Sequence, residues 1–126
     1  VGSEMCIRDR IRWGAKVILS VPCCQHELNR QIANKELYPI MDYGILKERM
    51  AALLTDGIRA KLLENAGYET QILEFIDMEH TPKNLLIRAV KRQEGSKKLP
   101  EELKACMEAY HVKPTLADLL TEKEEP

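Results

Sequence analysis

The stretch KVILSV, Lys16 to Val21, decides how this chain is read. It is short, almost continuously apolar and rich in β-branched side chains. Those properties predict a strand with both faces buried, the kind found in parallel sheets covered by helices. Pro22 ends it. Just upstream, Ile11 to Gly14 reads as a helix end running into a turn, with Gly14 in the left-handed position. Downstream, Gln25 to Pro39 holds a helical turn or short helix with Leu28 and Ile32 facing inward.

The clearest periodic element spans Ile45 to Asn65. Leu46, Met50, Leu53, Leu54, Ile58 and Leu62 form a broad apolar stripe, leaving Lys47, Glu48, Asp56, Arg59 and Glu64 to point elsewhere. Gly67, after Ala66, gives the helix its stop. Gly57 lies inside it, where glycine costs about 1 kcal/mol relative to alanine and marks either close packing or a tolerated weakness. ETQILEFI (Glu69 to Ile76) and LLIRAV (Leu85 to Val90) are strands. The polar DMEHTPKN, Asp77 to Asn84, between them makes an antiparallel hairpin the simplest pairing. Strand, crossover helix, strand and antiparallel strand together are the closing end of an open α/β sheet.

The balance of charge narrows the function classes. Lys plus Arg is 19 and Asp plus Glu is 20 in 126 residues, a formal net charge of -1. No polybasic field holds a nucleic acid by charge alone. The uncharged run from Val17 to His26 is far too short to span a membrane. Four cysteines, two of them adjacent, do not form a secreted disulfide pattern and point to a reducing, cytoplasmic setting. Residues 93–126 carry eight acidic and five basic side chains and read as a helical carboxy-terminal appendage, with helices over Glu101 to Tyr110 and Leu116 to Leu120. VGSEMCIRDR, residues 1–10, has no evident apolar period or cap. It resembles a translated sequencing-adapter stretch, so natural sequence is expected to begin at Ile11, inside something larger.

Ligands of open α/β sheets bind beyond the carboxyl ends of the parallel strands. Cys23, Cys24, Gln25, His26 and Glu27 follow the first strand at that edge, and Asp77, Glu79, His80 and Lys83 follow the second. His26 is a candidate general base, because free imidazole titrates near neutral pH. Its alternative role is hydrogen bonding within the loop. Cys23 or Cys24 becomes a nucleophile if a cation or helix start lowers its pKa, and otherwise packs as a small buried thiol. Zinc held by one of them with His26 and His80 can be drawn, but adjacent cysteines ligate one ion poorly and there is no CxxC pair. No metal site is therefore expected. Asp77 and Glu79 can orient His80 or a bound hydroxyl, Lys83 can meet a phosphate, and Asn84 can instead cap its own turn. No glycine-rich phosphate loop, GxSxG elbow, Walker motif or HExxH is present.

VPCCQHEL (Val21 to Leu28), YGILKER (Tyr43 to Arg49) and FIDMEHTPKNLL (Phe75 to Leu86) resemble the carboxy-terminal part of class I S-adenosylmethionine-dependent methyltransferases. Within that broad group they are distantly similar to the tRNA ribose methyltransferases that act at position 4 and carry a like double-cysteine and histidine segment. The resemblance covers 11–92. It implies a Rossmann-like sheet of which this chain holds strand five, a helix and strands six and seven, the last running antiparallel beside the fifth. It implies that His26, Cys23 and Cys24 carry the chemistry and that Glu27, Glu79, His80, Lys83 and Asn84 border the acceptor, tRNA or rRNA. S-adenosylmethionine would be the cofactor of the intact enzyme. Its glycine-rich loop and acidic residue, after strands one to four, have no counterpart here, so the chain alone is expected to be inactive and to aggregate through an unpaired edge. A small non-catalytic α/β interaction domain and a Cys/His zinc module are the alternatives.

Overall fold

The computed structural model describes residues 2–20, 26–75, 84–96 and 98–121. Helix α1 (Gly2–Arg12) opens the chain. The stretch 1–10 thus contributes a helix with a buried face: Ile7 is fully buried, and Ile11, one turn on, packs against the same core. This i, i+4 pair is the apolar period that a boundary at residue 10 conceals. The Gly14 N–H closes the turn on the Ile11 carbonyl at 3.0 Å, and Gly14 has φ 70°, the left-handed conformation expected of it.

Strand β1 (Val17–Ser20) leads to helix α2 (His26–Gln31), a 3-10 turn (Lys35–Leu37) and a short helix α3 (Tyr38–Met41). Helix α4 (Gly44–Asn65) then runs back to strand β2 (Tyr68–Phe75), which is followed by strand β3 (Asn84–Lys91). The fold is mixed α/β, with one three-stranded open sheet in the order β1-β3-β2. The expected hairpin is present, since β2 and β3 pair antiparallel from Tyr68 opposite Lys91 to Phe75 opposite Asn84. β1 also pairs antiparallel with β3, with Ile18 opposite Ala89 and Ser20 opposite Ile87. β1 and β2 therefore run in the same direction with β3 between them.

The expectation that β1 is buried on both faces does not hold. Ile18 is 1% exposed, but Val17 and Leu19 are 52% and 53% exposed. Burying both faces takes a helical layer on each side, and the core gathers only on the side of Ile18, Ile87, Ala89 and Tyr68. The outer edge of β1 is marked by Arg10. Its Nη1 donates to the Leu19 carbonyl at 3.5 Å, while the Lys16 carbonyl, three residues earlier and so pointing the opposite way, accepts from Lys91 N of β3.

The stripe on α4 holds in part: Ile58 and Leu62 are buried and Met50 and Leu54 pack against the core, but Leu53 is 63% exposed and Leu46 is exposed too, while Ala51 and Thr55 are buried instead. Asp56 and Arg59, expected to face away, are 5% and 4% exposed. The cause is tertiary. α4 packs against α2, α3, α6 and the sheet, so neighbours on several sides close over more than its most apolar arc. Gly57 is not a close-approach glycine, because a Cβ added there would meet nothing within 4 Å.

Helices α5 (Glu101–Tyr110) and α6 (Thr115–Thr121) complete the chain. Leu103, Val112, Leu116 and Ala117 belong to the same core as the sheet, so the segment read as an appendage packs into the body of the fold. Among the described residues no helix is long and apolar enough to cross a membrane.

Candidate functional site

One edge of the sheet holds the strand ends that flank the segments singled out by sequence. β1 ends there at Ser20, β2 ends at Phe75, and β3 starts at Asn84, directly opposite Phe75. Because β1 and β2 point the same way, both strands end at this edge. His26 is the first residue of α2, on the far side of the connection from β1. Cys23, Cys24, Asp77, Glu79, His80 and Lys83 lie outside the described residues.

Glu27 has a defined partner. Its Oε1 accepts from the Thr115 backbone N–H at 2.8 Å and from Thr115 Oγ1 at 2.5 Å. Thr115 is the first residue of α6, so the carboxylate satisfies donors that a helix start leaves open and complements its positive end. That contact occupies Oε1 with a helix in the carboxy-terminal part of the chain.

The contact belongs to a longer seam that sequence did not reveal. Gln31 and Lys113 exchange two bonds, Lys113 N to Gln31 Oε1 at 2.7 Å and Gln31 Nε2 to Lys113 O at 3.4 Å. Ala33 N donates to Tyr110 O at 2.9 Å, and His111 Nδ1 lies 2.8 Å from Ala33 O. Asn34 Nδ2 donates to Ala109 O at 3.0 Å, while its Oδ1 accepts from Glu36 N at 2.9 Å and Leu37 N at 3.2 Å. The connection between α5 and α6 is thus strapped along α2 and the turn after it. Only Asn34 carried a legible signal, as an Asn placed to cap the turn it precedes.

Among the described residues no group of three or more His, Cys, Asp and Glu side chains is gathered to hold a metal ion. Tyr68, by contrast, sits at the opposite end of the sheet, where its hydroxyl donates to the Ala15 carbonyl at 2.6 Å and burial raises its pKa above 10.0. It links the start of β2 to the approach to β1.

Comparison with family models, with curated proteins and with solved structures finds no match to this chain.

Proposed function

We propose that this chain is the carboxy-terminal part of a class I S-adenosylmethionine-dependent methyltransferase whose acceptor is RNA, a tRNA or rRNA. The observation that carries the reading is the strand order. An antiparallel β3 lies between two strands of like direction, which agrees with the last strand lying beside the fifth as the sequence resemblance implies. The strand ends that flank the CCQHEL and EHTPKN segments share one edge, and in α/β sheets ligands bind beyond the carboxyl ends of the parallel strands.

Among the described residues no glycine-rich loop follows a strand, so no step of methyl transfer is derived from this chain alone. Its share of the chemistry is on the acceptor side. His26, the first residue of α2, is the group assigned to take a proton from an acceptor hydroxyl. Cys23 or Cys24 is the competing reactive group, and Glu79, His80, Lys83 and Asn84 border the acceptor.

The test is transfer of a labelled methyl group from S-adenosylmethionine into tRNA or rRNA by the protein encoded by the whole reading frame. A His26→Ala variant that stays folded and loses turnover supports the reading. A folded whole-frame protein that methylates neither RNA contradicts it.

A second reading has its own observation. Val17, Leu19 and Leu73 leave one face of the sheet half open, as in a domain that binds a protein partner without catalysis. It requires a cooperative, monomeric melt of this chain by itself.

A further inference from the structure

A cleft of about 460 Å³ lies between the turn after α2 and the first turns of α4. Ile32, which is buried, and Met41, which is half-buried, give it apolar walls, and Tyr38, Lys35 and Lys47 complete its rim. Among the described residues no carboxylate lines it. Lys47 is itself half-buried, and among the described residues neither it nor Lys35 is engaged in an ion pair. Lysines bury their stems and keep their ammonium groups toward water, so two of them at the mouth of one cleft attract an anion. Beside it the Tyr38 ring is left 65% exposed.

The wall is preformed. Asn34 fixes the 3-10 turn through Glu36 N and Leu37 N, and the same residue is tied to Ala109 O. His111 holds the Ala33 carbonyl from the other side. A ligand entering here would not have to order the chain that receives it.

An exposed aromatic ring beside unpaired lysines, over an apolar floor, is the composition that binds single-stranded nucleic acid. The ring stacks on a base and the amines meet the backbone phosphate. We propose that this cleft takes one nucleotide of a single-stranded RNA, its phosphate between Lys35 and Lys47 and its base against Tyr38. An acidic peptide would use the lysines but leave the ring and the apolar walls unfilled. The inference rests on RNA as the acceptor and adds a contact made by residues other than those named for the reaction. Such a contact holds the strand without needing a basic field over the whole protein.

The experiment is fluorescence anisotropy of a labelled oligouridine with the protein encoded by the whole reading frame and with its Lys47→Ala, Tyr38→Ala and Tyr38→Phe variants, each checked for an unchanged circular dichroism spectrum. Tyr38→Ala is expected to weaken binding about tenfold, with Tyr38→Phe close to the parent. Lys47→Ala is expected to flatten the slope of log affinity against log salt by about 0.7, one phosphate contact on a single strand. If the parent binds but all variants bind alike, the cleft is overturned while RNA remains the acceptor. If the parent does not bind, the cleft is again overturned, and the acceptor class is judged by methyl transfer alone. If oligoglutamate competes as well as unlabelled oligouridine and Tyr38→Ala changes nothing, the cleft takes an acidic peptide and the proposal fails.

Discussion

The Glu27 carboxylate caps the start of α6 by accepting both the backbone N–H and the hydroxyl of Thr115, residues 88 positions apart in sequence. The pair joins the segment that follows β1 to the end of the chain. Helix caps of this kind contribute about 1 kcal/mol, and a charged acceptor raises that toward about 2 kcal/mol. Glu27→Ala should therefore lower the unfolding free energy by about 1–2 kcal/mol in a urea titration. Thr115→Val, which keeps the N–H, should cost less than Glu27→Ala. Equal stability of Glu27→Ala and the parent would show that the cap carries no net energy.

Gly67 follows the C-cap of α4 with φ 98°, and a Cβ there would run into the backbone carbonyl of Gln93. Its own carbonyl accepts from Arg92 N at 2.9 Å and Gln93 N at 3.2 Å, so the turn cannot shift without breaking the end of β3. Gly67→Ala combines a left-handed penalty with a clash and should destabilise by more than about 2 kcal/mol. A melting temperature within a degree or so of the parent would contradict this.

Gly57 presents the opposite case. It lies in mid-helix, and open space surrounds the position of its missing Cβ. Gly57→Ala should raise stability by about 0.5–1 kcal/mol, chiefly by restricting the unfolded chain. A loss of stability would mean that the helix packs there against something the geometry does not show.

Tyr68 makes stability depend on alkaline pH. Its hydroxyl is held neutral against the Ala15 carbonyl, and burial raises its pKa above the ordinary 10.0. The unfolded chain then gives up this proton more readily than the folded one. The stabilisation is complete below pH 10 and is lost as pH rises through the folded pKa. Tyr68→Phe should lose about 1 kcal/mol at neutral pH, from the missing hydrogen bond, and should show a flatter decline above pH 10. Parallel pH profiles for the two proteins would remove Tyr68 as the cause.

Much of the sheet was legible because its signals are local. Alternation and β-branching gave the three strands, the length and polarity of 77–84 gave the hairpin, and Gly14 and Gly67 gave the turns. Burial was less legible, because it depends on what surrounds an element. α4 hides Asp56 and Arg59 and exposes Leu53, since helices α2, α3 and α6 approach it from directions its own pattern does not encode. The seam from Glu27 to Asn34 was invisible for the same reason, as its partners lie 75 to 88 residues downstream. At the candidate site, sequence and topology agree on the edge. Of the residues named there, only Glu27 has a described side-chain contact.

The measurement that bears most directly on the central claim is a long sequencing read through the source locus, upstream of the codon for Ile11. The account predicts an open frame that continues through a strand, a glycine-rich turn and an acidic residue one strand later. A frame that starts at Val1 or just before it would contradict the methyltransferase reading and leave a non-catalytic interaction domain as the better description.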